Sequence, residues 1–285
     1  MNTILRKTIL SPGVKDLRVE TPRIARKRQA GQFIMLRVRE EGERIPLTIA
    51  DADAGAGWIR LIFQEVGRST VELGRLEEGD SILDLAGPLG RPTHIEKRGT
   101  VVCVGGGIGT APVHPIAKAM KEAGNRVISI VGARSADLLI LEEEMAAISD
   151  RLLICTDDGS KGRHGFVTNV IEDLVAEGVH IDELVAIGPV VMMRAVSELT
   201  RALAIPTVVS LNATMVDGTG MCGGCRVTVD GRSRFVCVDG PEFNGHAVDF
   251  NELMMRQRAY SEQERQAMAA DHVCQIGREP ERKPA

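Results

Sequence analysis

The chain has 285 residues, enough at roughly 100 to 200 per domain for two domains whose cores need no disulfide staples. Its 35 Lys and Arg against 39 Asp and Glu give a formal charge of -4, with no basic stripe to attract nucleic acid. No apolar run approaches the roughly 18 residues of a membrane helix, and the opening MNTILRKTILSPG lacks a secretory signal's apolar stretch and small-residue cleavage site. A soluble cytoplasmic protein is expected.

From about Thr8 to Leu85 the sequence reads as short strands broken by turn residues, among them Gly31 to Val38 and Trp58 to Phe63, with Gly42, Gly55, Gly57 and Gly79-Asp80 between them. That spacing predicts a small antiparallel barrel. From Gly99 the pattern changes to strands at Thr100–Val104, Arg126–Val131, Arg151–Cys155, Glu183–Ile187 and Thr207–Leu211. Helices are predicted between them, through about Glu122 and over Leu139–Ile148, Thr168–Glu177 and Met192–Leu203. Such alternation predicts a doubly wound parallel sheet covered on both faces. A glycine- and cysteine-rich segment follows from Asn212 to Asn244. The rest, from about Val248, is polar and helix-prone, with a frayed end expected over Arg278–Ala285.

The first parallel strand runs into Gly105-Gly106-Gly107-Ile108-Gly109-Thr110-Ala111-Pro112. Glycines allow backbone to approach a pyrophosphate, and the following helix N-terminus offers free N–H groups and partial positive charge. An ordinary βα turn is the competing reading, and Thr110 stands where G-x-G-x-x-G would place its last glycine. The second strand ends Val131-Gly132-Ala133-Arg134-Ser135, without the carboxylate that usually meets a ribose 2′-hydroxyl. Arg134 could instead pair with a 2′-phosphate, which leans toward NADP, while Asp137 nearby keeps NAD open.

The six cysteines are unevenly placed: Cys103 and Cys155 lie alone on expected core strands, whereas Cys222, Cys225, Cys237 and Cys274 crowd the C-terminal part. In a reducing compartment that crowding suggests a metal more than disulfides. Plant-type 2Fe-2S sites use C-x4-C-x2-C and a distant cysteine. Asp217-Gly218-Thr219-Gly220-Met221-Cys222-Gly223-Gly224-Cys225 repeats that spacing with aspartate in the first cysteine's place. The expected ligand set is therefore Asp217, Cys222, Cys225 and Cys237. The alternative is a structural zinc held by the three cysteines and His246 or Cys274. His94, His114, His164, His180 and His272 form no ligand spacing.

A barrel, a nucleotide domain and an iron-sulfur loop in this order resemble the ferredoxin-NADP reductase superfamily over about Gly31 to Asp249. The resemblance is strongest to the small (alpha) subunits of NADH-dependent reduced ferredoxin:NADP oxidoreductases, with sulfide dehydrogenase beta subunits and dihydroorotate dehydrogenase electron-transfer subunits as relatives. It is carried by Arg44-Ile45-Pro46-Leu47-Thr48, Gly67-Arg68-Ser69-Thr70, Gly87-Pro88-Leu89-Gly90, the glycine loop, Thr156-Asp157-Asp158-Gly159-Ser160 with Gly165-Phe166-Val167-Thr168, and Gly188-Pro189-Val190-Val191-Met192-Met193. The Asp-plus-three-Cys pattern favours the ferredoxin:NADP small subunits.

The resemblance implies an FAD-binding barrel over residues 1–96 and an NAD(P)-binding α/β domain over 97–211, then a 2Fe-2S module over 212–249 and a polar helical tail over 250–285. It implies flavin contacts from Arg44, Pro46, Leu47, Thr48, Ile62, Phe63, Gln64, Gly67, Ser69 and Thr70. Nucleotide contacts are implied for Gly105, Gly106, Gly107, Gly109, Thr110, Ala111, Arg134, Asp157, Asp158, Gly188 and Met192. The implied activity is hydride exchange between NAD(P)H and FAD with single electrons leaving through the cluster. No side-chain acid or base is required, because the redox chemistry belongs to the cofactors. The implied partner is a larger flavin and iron-sulfur subunit, in which bifurcation would occur, with ferredoxin reached through it. A stand-alone reductase and a zinc-bearing nucleotide-binding assembly protein are the alternatives.

Overall fold

A computed structural model describes residues 2–269. The N-terminal part is a six-stranded antiparallel sheet of order β1-β2-β5-β4-β3-β6. Its strands are β1 (Ile4–Ser11), β2 (Val14–Glu20), β3 (Phe33–Arg37), β4 (Arg44–Asp53), β5 (Trp58–Gln64) and β6 (Asp84–Leu89), with helices α1 (Pro22–Ala25) and α2 (Arg68–Arg75) in the connections. The first hairpin begins at Ile4, before the expected Thr8, turning at Pro12-Gly13.

β5 explains how this sheet meets the second one. Strand side chains alternate between faces. Ile59, Leu61 and Phe63 point into the barrel core, while Ile62 joins a different cluster that includes Leu139, Ile140 and Leu141 of the second domain. Both faces of β5 are covered, so it reads as a nearly continuous apolar run. Each such side chain contributes about 1.5 to 3 kcal/mol when fully buried.

The second sheet has seven strands in the order β10-β9-β8-β7-β11-β12-β15. They are β7 (Thr100–Gly106), β8 (Arg126–Ala133), β9 (Arg151–Thr156), β10 (Arg163–His164), β11 (Glu183–Ile187), β12 (Thr207–Ser210) and β15 (Glu242–Asn244). All pairings are parallel except β12 with β15. Helices α3 (Thr110–Glu122), α4 (Glu142–Ile148), α5 (Val167–Ala176) and α6 (Val190–Ala202) connect them. On β7, Val101 and Cys103 face α3, whereas Val102 and Val104 face α5 and α6. Cys103 and Cys155 are both buried, as their strand positions predict.

Two features depart from the expected pattern. The helix expected from Leu139 starts at Glu142 instead. Leu139, Ile140 and Leu141 are non-helical and join the buried cluster that also holds barrel residues Val14, Ala50 and Ile62. The cysteine-rich segment is also not set apart from the sheet. It folds as hairpin β13 (Arg226–Val229) and β14 (Arg232–Phe235) and helix α7 (Val236–Asp239), then returns as β15, pairing Val208 with Asn244 and Ser210 with Glu242. Helices α8 (Phe250–Arg258) and α9 (Ser261–Ala269) follow. Cys274, His272 and the expected frayed end lie outside the described residues.

Candidate functional site: two cavities and a cysteine loop

In the second sheet the chain runs from β7 outward to β8 and β9, then returns to β11 on the other side of β7. The point where strand order reverses is where open α/β sheets bind ligands, beyond the carboxyl ends of the strands. Gly105 and Gly106 end β7 there, with Gly105 opposite Ile187 of β11 and Gly106 close to Gly188, which follows that strand. The approach is close. A methyl group at Gly106 would lie 2.3 Å from Met192 Sδ, and one at Gly109 would lie 2.1 Å from the Ile187 carbonyl oxygen. Thr110 follows in α3, fully buried, and its hydroxyl has no hydrogen-bond partner.

A cavity of about 590 Å³ opens at this point. Gly106, Gly107, Arg134, Asp157 and Met192 line it from the nucleotide domain, and Ser11, Val14 and Gln64 line it from the barrel. Of the expected nucleotide contacts, these five reach the cavity. Gly105, Gly109, Ala111 and Gly188 instead create the close packing around it. Asp158 is outside the lining; it accepts from the Ser160 hydroxyl at 2.6 Å and N–H at 2.9 Å, which hold its carboxyl below the ordinary range. Phe166 and Thr168, from the Gly165–Thr168 segment that carries part of the family resemblance, also line the wall, as does Cys155, which the sequence marked only as a buried core thiol. Burial pushes the Cys155 thiol up to about 11, so this side chain is an inert wall rather than a nucleophile.

A second cavity, of about 670 Å³, lies on the barrel beside the N-terminus of α2 and is lined by Arg39, Ile45, Gly67, Arg68, Ser69, Thr70 and α9 residues including Arg265. Thr70 shapes it. Its hydroxyl accepts the Val66 and Gly67 N–H groups at 3.1 and 3.0 Å and donates to the Gly67 carbonyl at 2.8 Å. Burial alone would raise the Glu72 carboxyl, but Arg68 and Arg39 more than offset this and hold it below its ordinary value.

Strand β4 divides the expected flavin residues. Ile45 and Leu47 pack against the barrel core, leaving Arg44, Pro46 and Thr48 on the other face by alternation. Arg44 is exposed and outside the cavity lining, which its neighbour Ile45 reaches. Ile62 and Phe63 are buried in packing, so what they can offer a cofactor is backbone. Gln64, the next residue, reaches the first cavity.

The cysteine loop sits on the same barrel. A methyl group at Gly218 would lie 2.5 Å from Met35 Cγ and 3.0 Å from Leu89 Cδ1, and Met35 is the cross-strand neighbour of Pro46. The loop therefore lies one strand away from the Arg44–Thr48 segment. Within it, Cys225 and Cys237 are buried with their sulfurs 3.3 Å apart. Burial, reinforced by Cys225, pushes the Cys237 thiol up to about 12. Backbone N–H groups turn toward sulfur, from Gly224 to Cys222 and from Cys237 to Cys225, each at 3.4 Å.

Asp217 accepts the Thr219 N–H at 2.9 Å and the Cys222 N–H at 2.8 Å, which hold its carboxyl below the ordinary range. Cys222 is exposed, and among the described residues no three His, Cys, Asp or Glu side chains converge on one point. Two cysteine sulfurs in contact, N–H groups aimed at sulfur, a third cysteine nearby in the chain and an ionised carboxylate nonetheless match the donor types of an iron-sulfur cluster. Each Asp217 oxygen accepts one of these N–H groups, so lone pairs remain on the carboxylate for a metal. His246 does not serve the zinc alternative: its Nε2 is 3.0 Å from the Thr200 hydroxyl on α6.

Comparisons with known proteins agree with this layout. Residues 212–249 match the family model for the iron-sulfur cluster binding domain of dihydroorotate dehydrogenase B. The chain is 48% identical over 265 residues, 93% of each protein, to the dihydroorotate dehydrogenase B (NAD(+)) electron transfer subunit homolog of Thermotoga maritima. It is 33% identical over 255 residues to the dihydroorotate dehydrogenase B (NAD(+)) electron transfer subunit of Bacillus caldolyticus, covering 86% of this chain and 96% of that one. A solved structure described for flavin-based electron bifurcation by an NADH-dependent reduced ferredoxin-NADP oxidoreductase superposes with a TM-score of 0.90 at 46% identity, covering 94% of this chain and 97% of that chain. An Amycolatopsis cytochrome P450 reductase, at 22% identity and a TM-score of 0.60, shares the fold over 70% of this chain and 65% of its own. The chain therefore belongs to the family of dihydroorotate dehydrogenase B electron-transfer subunits and their homologues, built on a ferredoxin-NADP reductase fold.

Proposed function

We propose that this chain is the flavin and iron-sulfur electron-transfer subunit of a ferredoxin:NAD(P) oxidoreductase of the bifurcating type, exchanging hydride between NAD(P)H and FAD and passing single electrons through a 2Fe-2S cluster to a larger subunit. One observation carries the reading. The switch-point cavity is walled by the barrel on one side, and the cysteine loop packs against that same barrel at Met35 and Leu89. A nucleotide, a flavin and a cluster would thus all be held against the one barrel.

When bound, FAD supplies conversion of a two-electron hydride into single electrons, and the cluster supplies their onward transfer. The chain's residues bind, orient and exclude water. Gly106 and Gly107 bring backbone N–H groups to the pyrophosphate, and Arg134 faces the ribose from the far wall. Met192 and Gln64 close the nicotinamide end. Gly67, Ser69 and Thr70 hold the flavin diphosphate at the start of α2, while Pro46 and Thr48 line the ring from β4 and Leu47, on the opposite face, supports that strand from the barrel core. Cys222, Cys225, Cys237 and Asp217 hold the cluster. These residues define an FAD unit over 1–96, a nucleotide unit over 97–211 and a cluster unit over 212–249.

The absorption spectrum of the purified chain tests the reading. Flavin and 2Fe-2S bands that bleach on anaerobic addition of NADH or NADPH are expected, with only dyes reduced until the larger subunit is added. A colourless protein would favour the zinc alternative, and rapid turnover by the chain alone would favour a stand-alone reductase. Arg134→Ala should lower any preference for NADPH, and an unchanged preference would remove the 2′-phosphate role. Asp217→Ala should alter the cluster's spectrum or occupancy, and an unchanged signal would exclude it as a ligand.

A further inference from the structure

Between the barrel and the nucleotide domain lies an ion triad that the cofactor sites do not use. Arg60 on β5 is 9% exposed. Its Nε lies 3.0 Å from both Asp16 carboxylate oxygens, and its Nη2 is 2.8 Å from Asp16 Oδ2 on β2. Its other edge crosses to α4, with Nη1 at 2.6 Å from Glu144 Oε2 and Nη2 at 3.0 Å from Glu144 Oε1. One guanidinium thus forks to two carboxylates on two domains, a geometry that a lysine cannot reproduce. His114 on α3 also faces Glu144, at 3.9 Å, and burial lowers its pKa, favouring the neutral ring.

Both ends of the triad continue into walls of the switch-point cavity. On the barrel side Asp16 is two residues from Val14, a wall residue. On the other side α4 anchors the 134–141 loop, which starts at Arg134 and contributes Leu138 and Ile140 to the wall. The loop enters α4 through Leu141, whose φ is 58°. A leucine in the left-handed region is strained, and such strain persists only where flanking contacts hold the corner. Glu144 lies one turn further along, locked to Arg60.

We infer that the Asp16–Arg60–Glu144 triad positions the 134–141 loop against the barrel, and so sets the distance at which a nicotinamide nucleotide meets the flavin. This rests on the proposed hydride exchange. The triad touches neither cofactor site, so these are positioning residues, and their effect should appear in the hydride-transfer rate rather than in cofactor content. A misplacement of about 1 Å costs reactions of this kind up to about a hundredfold.

The test is Glu144→Gln, which keeps shape and removes the charge, beside Glu143→Gln, which removes an exposed charge from the same helix. Flavin reduction by saturating NADH or NADPH is followed anaerobically, and amide exchange is measured over 134–141. Glu144→Gln should keep its flavin and cluster absorbance, slow flavin reduction at least tenfold and raise exchange in the loop; Glu143→Gln should match wild type in both. Wild-type rate and exchange in Glu144→Gln would overturn the inference. Should that variant not fold, Arg60→Lys carries the same expectation. Wild-type flavin that neither nucleotide reduces would refute the proposed function instead, and the exchange data would still decide whether the triad holds the loop.

Discussion

Gly218→Ala offers a quantitative test of how the cysteine loop is seated. Gly218 has a φ of 73°, and an alanine in the left-handed region costs about 1 to 2 kcal/mol. The added methyl would also lie 2.5 Å from Met35 Cγ and 3.0 Å from Leu89 Cδ1, well inside ordinary contact. Methionine adapts, so part of this overlap can be relieved, but overpacking of a filled site still costs about 1 to 3 kcal/mol. Gly231, in the β13–β14 turn of the same module, is the matched control: its φ is 67° and a methyl group there meets nothing within 4 Å. Alanine at Gly231 bears the backbone cost alone. The difference of about 1 to 3 kcal/mol corresponds to about a five- to 150-fold larger population of opened loop. The assay is the rate at which a chelator removes cluster iron from each variant. Equal rates for Gly218→Ala and Gly231→Ala would refute the seating of the loop on Met35 and Leu89.

Two further outcomes follow from other sites. Burial raises the Glu242 carboxyl to about 7; Glu183 adds to the rise, and the Thr93 hydroxyl at 2.6 Å opposes it. The folded state therefore holds this proton more tightly than the unfolded chain does, so its stabilisation is full below the ordinary carboxylate pKa and is lost as pH rises to about 7. Glu242→Gln should flatten the fall in unfolding free energy, measured by urea titration between pH 5 and 8, by on the order of 2 kcal/mol, and an unchanged slope would sink this assignment. In the glycine loop, Gly109→Ala places a methyl 2.1 Å from the Ile187 oxygen and 2.8 Å from Gly188 Cα, backbone that cannot move aside. Its cost should reach or exceed the ~3 kcal/mol upper range of overpacking and abolish flavin reduction by nicotinamide nucleotides, whereas a Gly109→Ala chain with normal melting and normal reduction would contradict the packing described.

Much of the nucleotide sheet was legible because each strand and helix is local: the apolar run of β7, its glycine exit and the next amphipathic helix lie within about twenty residues of chain. The iron-sulfur module over 212–249 was legible for the same reason, since the Cys222-x2-Cys225 spacing that marks it is local. Less legible was the division of labour within β4 and β5. Arg44 and Ile45 are adjacent, but alternation along β4 sends them to opposite faces, leaving Arg44 exposed and Ile45 in the lining of the second cavity. The start of α4 was misplaced because Leu139, Ile140 and Leu141 match a helix by composition, yet they are non-helical and join the buried cluster shared with the barrel.

The sequence by itself determined the order of barrel, glycine loop and cysteine loop, and the residue types each could offer to phosphate or iron. Only the tertiary structure decided how these parts meet. It placed Gly218 on Met35, returned β15 to the edge of the nucleotide sheet, and set Arg60 between Asp16 and Glu144. The reason is physical: a local motif is written in neighbouring torsions, whereas a contact between Arg60 and Glu144 spans 84 residues and depends on which faces of two separate sheets are left to be covered.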